Sequence, residues 1–272
     1  MEKSYDSLKE TARRVRVGII EGVYAAACGH PGGSLSIADI LTYLYFEEMN
    51  VRPEEPKWQN RDRFVLSKGH TAPALYAVLA ERGFFPKEDL KTLRHIDSYL
   101  QGHPDMKGTP GVDMSTGSLG LGISAACGMA LSAKISGDDY RVYTALGDGE
   151  SEEGQVWEAA MFAAHYKLDN LCVVVDWNGL QIDGPITEVM NPTPHDKKFE
   201  AFGFHVISID GHDFAQIEAA FAEAKKVKGK PTAIIAKTTK GKGVSYMENA
   251  VEWHGAAPKE DLYLQALKDL GE

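Results

Sequence analysis

The sequence predicts an α/β protein: a parallel sheet with helices on both faces. Three observations carry this. From about residue 141, short runs of aliphatic and β-branched residues alternate with amphipathic helical stretches, the pattern of strands buried on both sides. Glycine-rich turns follow two of these runs, where ligands bind in such sheets. The chain has 272 residues, 43% apolar and 25% charged, enough for one large domain with a sizeable core.

The elements follow in order. Apolar positions at Leu8, Ala12, Val15, Ile19 and Val23 predict a helix from Leu8 to Ala27, stopped by Gly29. A second helix is expected from Ile37 to Met49, with Ser36 as its N-cap, before Pro53 and Pro56. Arg63 to Leu66 reads as a short strand and Ala74 to Arg82 as a helix. Pro86 is expected to open a further helix reaching His95. The Gly- and Pro-bearing stretch from His95 to Ser115 reads as loop. Leu119 to Ile135 is a small-residue helix. Strands at Arg141–Leu146, Leu171–Trp177, Phe204–Ile209 and Thr232–Thr238 then alternate with helices at Gln155–Tyr166, His195–Ala201 and Phe214–Val227. Pro258 to Leu270 is a surface helix.

Composition narrows the function. The net charge of −10 and the lack of a long Lys/Arg run argue against nucleic acid as partner, while an anionic cofactor needs only local donors. No apolar run is long enough to cross a bilayer, and the polar N-terminus lacks a signal-peptide core, so the cytoplasm is expected. Cys28, Cys127 and Cys172 are far apart in apolar or helical contexts and read as buried small hydrophobes, not disulfides or zinc ligands.

The chemistry begins at Gly147. An apolar strand delivers Gly147-Asp148-Gly149-Glu150, where backbone N–H groups and a following helix N-terminus favour an anion. The carboxylate of Asp148 would repel a phosphate unless a cation lay between them. The next strand ends in Asn178-Gly179-Leu180, which offers an amide oxygen and a turn exposing a carbonyl. Neighbouring strand ends would make Asp148, Asn178 and the Leu180 carbonyl an all-oxygen half-shell of the kind Mg²⁺ prefers. Taken singly, each turn is an ordinary Asp-Gly or Asn-Gly turn.

At this point the sequence resembles the transketolases, thiamine diphosphate enzymes. Gly147-Asp148-Gly149, then Asn178 after 28 intervening residues, looks like the thiamine diphosphate motif. Gly29-His30-Pro31-Gly32-Gly33, Ser67-Lys68-Gly69-His70, Gly102-His103-Pro104, Thr116-Gly117-Ser118-Leu119-Gly120, the stretch Asn178 to Gly184 and His254-Gly255-Ala256 point to transketolase within that superfamily. The resemblance spans nearly the whole chain. It implies a thiamine diphosphate-binding fold, with residues 1–272 forming a single diphosphate-binding domain.

The resemblance implies site roles as well. Asp148, Asn178 and the Leu180 carbonyl hold Mg²⁺, with Ca²⁺ or Mn²⁺ as substitutes. Gly149, His70 and His254 contact the diphosphate. Gly117 and Leu119 lie along the pyrimidine or linker, and Ile182 packs on the thiazolium. His30, His70, His103 and His254 face the sugar channel. Glu153 matches an acidic residue buried between two subunits' active sites. His95, His165, His195, His205 and His212 match no motif and are assigned to surface or core. Ser34 and Ser118 stand where transketolases commonly carry Pro, which bears on loop rigidity. Lys240-Gly241-Lys242-Gly243 reads as a basic flexible loop near the site and does not fit a P-loop.

The family's pyrimidine-binding and C-terminal domains are missing from the resemblance. The expected partner is therefore a second chain carrying both, together with the glutamate that activates the cofactor's aminopyrimidine. Two copies of each chain would form the assembly, and the chain alone would be inactive. The implied reaction is transfer of a two-carbon ketol unit from a ketose phosphate to an aldose phosphate, as in the pentose phosphate pathway. Alternatives are a split transketolase for a sulfonated or branched sugar and a non-catalytic relic subunit. A 1-deoxyxylulose 5-phosphate synthase fits less well, because it lacks the Ser-Lys-Gly-His form.

Overall fold

A computed structural model describes residues 4–272. Five parallel strands form the central sheet: β1 (Arg63–Leu66), β2 (Val142–Gly147), β3 (Leu171–Trp177), β6 (His205–Asp210) and β7 (Thr232–Lys237), in the order β1-β2-β3-β7-β6. Two short strands, β4 (Leu180–Gln181) and β5 (Gly184–Pro185), pair as a separate antiparallel ribbon beyond β3. Strands β1, β2, β3 and β7 were legible as apolar runs because parallel strands are covered on both faces, whereas the edge strand β6 is only half-buried.

Alternation along the strands sorts the core into two layers. Phe64, Leu66, Tyr143, Ala145, Cys172, Val174, Ile234 and Ala236 face one side. There they meet α1 (Asp6–Ala26), α3 (Ala38–Tyr43), α4 (Ala72–Arg82) and α9 (Phe214–Lys226), with α10 (Glu260–Asp269) on the outside. Val65, Val142, Leu146, Val173, Val175, Ala233 and Ile235 face α5 (Leu121–Ser136), α6 (Gly154–His165) and α8 (His195–Ala201). The two remaining helices are short: α2 (Pro31–Ser36) and α7 (Ile186–Val189). No helix among the described residues is long and apolar enough to cross a membrane. Cys127 and Cys172 are buried as expected, whereas Cys28 is half-buried, and all three are free.

Several expectations need correction. The glycine-rich segment between the first two expected helices is itself helical, and Ser34 donates from its hydroxyl to the His30 carbonyl at 2.7 Å. Ser36 ends that helix instead of capping the next; its hydroxyl donates to the Asp176 carboxylate. The segment after Pro86 forms only a 3₁₀ turn, Lys87–Thr92, because Leu90 is pressed against α1 at Gly18 and Gly22. Helix α5 starts at Leu121, since Gly120 sits at φ 80° and breaks the helical path.

Candidate active site

The sheet's carboxyl edge opens onto a cavity of about 400 Å³, lined by Lys68 and His70 beyond β1, Asp148 beyond β2, Asn178 beyond β3 and Lys240 beyond β7. Register explains the convergence of the two turns. Gly147 pairs with Asp176, so the loops leaving β2 and β3 start side by side. The Asp148 carboxylate accepts from the Gly149 N–H at 2.8 Å and from the Gly179 N–H at 2.5 Å. Gly179 lies at φ 84°, a conformation that a side chain would strain. The Leu180 N–H donates to Asn178 Oδ1 at 3.1 Å, while Asn178 Nδ2 faces Asp176 at 3.4 Å.

Asp148 is buried, and burial pushes its carboxyl up to about 6; the Gly179 N–H opposes the rise and the nearby Asp176 charge adds to it. A carboxylate so placed gains from a cation, and Asp148, Asn178 and Leu180 all line the same cavity. Among the described residues, no three His, Cys, Asp or Glu side chains gather to hold a metal. A cation would therefore depend on the amide and carbonyl oxygens as well as the carboxylate. That all-oxygen set fits a hard divalent ion.

Beneath the two turns lies a buried ion pair that sequence reading did not single out. Lys68 and Asp176 are 2% and 0% exposed and bonded to each other, and Lys68 Nζ also donates to the Gly33 carbonyl at 2.9 Å. Burial pushes the Asp176 carboxyl up, but Lys68 with the Ser36 and Thr238 hydroxyls outweighs it and holds the group below the usual range. Glu150 is a second hidden anchor. It accepts from the Ser67 hydroxyl, the Gly120 N–H at 2.9 Å and the Gly147 N–H at 3.0 Å, tying together the loops of β1, α5 and β2.

Three of the four motif histidines meet in the cavity wall. The ring centroids of His30, His70 and His254 lie 5.1 to 5.6 Å apart. All three resist protonation. Burial, then the charge of Arg94, lowers His30 to about 4; burial, then Lys240, lowers His254 to about 3; burial and Lys68 hold His70 well below its usual value. His103 stands apart on the exposed rim, behind Gly117, where a Cβ would come within 3.2 Å of its ring. Leu119 and Ile182 line the cavity at 37% and 61% exposure. Gly117, Gly149 and Glu153 also line it, and Glu153 is exposed in this chain by itself.

The expected flexible basic loop is instead a fixed one. Lys240 is 2% exposed and donates to the Leu180 carbonyl at 3.0 Å, with His254 Nδ1 at 2.9 Å on its other side. Nothing in its sequence neighbourhood separates it from a solvated lysine. Of the unmatched histidines, His95 and His165 are exposed and His205 is half-buried, while His195 packs in the core against Trp177. His212 is structural: its Nδ1 lies 2.7 Å from the Asp39 carboxylate and its Nε2 accepts from the Thr239 N–H at 2.9 Å.

The family described as transketolase, thiamine diphosphate binding domain, matches residues 7–271. A 6-deoxy-6-sulfo-D-fructose transketolase subunit of Clostridium sp. (strain MSTE9) is 46% identical, over 99% of this chain and 98% of its own length. An apulose-4-phosphate transketolase subunit of Phocaeicola vulgatus is 42% identical, over 98% and 95%. The crystal structure of transketolase from Campylobacter jejuni superposes with a TM-score of 0.93 at 38% identity, covering 99% of this chain but 43% of that one.

Proposed function

Since this chain belongs to the transketolase family, whose thiamine diphosphate binding domain it matches over residues 7–271, we propose that it is the diphosphate- and metal-holding subunit of a two-chain transketolase. Residues 1–272 make up one diphosphate-binding domain, and a second chain supplies the pyrimidine-binding and C-terminal domains. The observation that carries this reading is the meeting of Asp148 with the Asn178–Leu180 turn at one cavity wall.

In this reading Asp148, Asn178 and the Leu180 carbonyl hold Mg²⁺, and Gly149, His70 and His254 take the diphosphate. Gly117, Leu119 and Ile182 form the apolar cover, and the exposure of Ile182 suits a residue that a bound ring would bury. Bound thiamine diphosphate supplies the electron sink for breaking and remaking a carbon–carbon bond. This chain's residues bind, orient and shield. His30, His70 and His254, held neutral by burial and neighbouring cations, donate to or accept from sugar hydroxyls without adding charge. His103 reads the sugar from the rim. Glu153 becomes buried when two assemblies of the chain and its partner pair.

The relatives matched nearly end to end are named for a sulfonated ketose and a branched sugar phosphate. That favours a ketose with an unusual skeleton and a terminal anion over the common sugar phosphates. The test is to purify the chain with the candidate partner and measure ketol transfer from xylulose 5-phosphate, 6-deoxy-6-sulfofructose and apulose 4-phosphate. One donor turned over by the complex, and none by the chain alone, is the expected result. Cofactor binding without turnover of any donor would favour the relic subunit, and turnover by the lone chain would overturn the partner requirement.

A further inference from the structure

Lys240 has no role in the proposed binding scheme, yet it is buried and held at both its backbone and its ammonium group. Its backbone is fixed on both sides. The Thr239 N–H donates to His212 Nε2 at 2.9 Å, the Gly241 N–H to the Gly32 carbonyl at 2.9 Å, and the Asn249 N–H to the Lys240 carbonyl at 2.9 Å. His212 is in turn held by Asp39, whose carboxylate Arg16 grips at 2.9 and 2.6 Å. The side chain then runs through a slot that exists because residue 32 is glycine. A Cβ there would sit 3.0 and 3.1 Å from the Lys240 stem and 2.9 Å from the Trp253 carbonyl. At the end of the slot Nζ touches two acceptor positions, the Leu180 carbonyl at 3.0 Å and His254 Nδ1 at 2.9 Å.

An ammonium group has donors only. A ring nitrogen bonded to it must therefore carry a free lone pair. We propose that Lys240 is a positioning residue that fixes His254 as the tautomer bearing its proton on Nε2, making the ring a neutral, permanently oriented donor in the cavity wall. The same ammonium grips the Leu180 carbonyl, so one side chain ties the proposed metal turn to the proposed diphosphate donor. A ring nitrogen's partner sets which tautomer is present, and here that partner is a buried cation on a rigid loop. His254 thereby offers a hydrogen bond to an anion without a proton-uptake step. The inference deepens the thiamine diphosphate reading for its purpose, though its geometry does not depend on a ligand.

The test uses the full chain labelled with ¹⁵N-histidine. Long-range ¹H–¹⁵N spectra at neutral pH separate protonated from unprotonated ring nitrogens, with His254 assigned from His254→Gln. The expected wild-type signal is an unprotonated Nδ1 and a protonated Nε2. Lys240→Met should remove that preference, and Lys240→Gln, which keeps an N–H donor, should restore it. In complex with the partner chain, calorimetry should show thiamine diphosphate bound roughly tenfold more weakly by the Met variant, the scale of one charge-assisted hydrogen bond, with partial recovery in the Gln variant. A wild-type ring protonated on Nδ1, or a tautomer unmoved by Lys240→Met, overturns the proposal. Should the Met variant fail to fold, the wild-type and Gln spectra still decide. The spectra contain no cofactor, so failure of the cofactor reading would appear only in the calorimetry.

Discussion

At the residue scale, the site is organised by separating charge from hydrogen-bonding capacity. Positive charge is carried by Lys68 and Lys240, both 2% exposed, while the histidines beside them stay neutral. This has a consequence for stability. His30 and His254 have folded values of about 4 and about 3, against 6.5 for the unfolded ring. Below pH 6.5 the unfolded chain takes up protons that the folded rings refuse, so stability is full above that pH and declines as pH falls toward 4. Denaturant midpoints measured at several pH values between 7.5 and 4.5 should show the decline, and His30→Gln should flatten it. A His30→Gln profile parallel to wild type would contradict the assignment. Asp148, Asn178 and the motif histidines were legible in the sequence because their residue types and turn contexts announce chemistry. Lys68 and Glu150 appeared only inside motifs without a role, and Lys240 only in a basic loop expected to be flexible, because a lysine or glutamate beside glycine looks solvated until the tertiary fold buries it.

At the element scale, glycines decide where helices may approach. Alanine normally favours a helix over glycine by about 1 kcal/mol. In α5 two glycines should nevertheless respond with opposite signs. A Cβ on Gly122 would meet the Ser67 Cα at 2.5 Å, at the end of β1 where the cavity begins, whereas Gly128 has nothing within 4 Å. Gly122→Ala should therefore destabilise the chain by roughly 1–3 kcal/mol, as overpacked sites do. Gly128→Ala should be neutral or stabilising by up to about 1 kcal/mol in the chain alone. Urea unfolding of both variants checks the pair, and equal effects would show that the close approach of α5 to Ser67 is not limiting. The same logic explains why α2 was not foreseen. Pro31 suits a first helical turn, but Gly32 and Gly33 disfavour a helix, and these glycines are there to clear Lys240 and Thr71. The cap of α3 and the turn after Pro86 went astray for a related reason, since tertiary contacts at Ser36 and Leu90 overrode local propensity, while the helix expected from Ile37 to Met49 is helical from Ala38 to Glu48.

At the scale of the whole molecule, the fold was readable because a parallel sheet writes its strands as apolar runs and its helices as amphipathic ones. The order β1-β2-β3-β7-β6 was not readable, since strand order depends on which crossovers pack. That order brings the ends of β2 and β3 together, and on it rests the claim that Asp148 and the Asn178 turn clasp one cation beside a diphosphate. The most direct measurement is therefore made on the chain with the candidate partner: calorimetric titration with thiamine diphosphate, with Mn²⁺ present or removed by chelator, for wild type and Asp148→Ala. Binding that requires the metal in the wild type and weakens about a hundredfold or more in the variant is the predicted result. Equally tight binding by Asp148→Ala, or by the wild type with the metal removed, would contradict it.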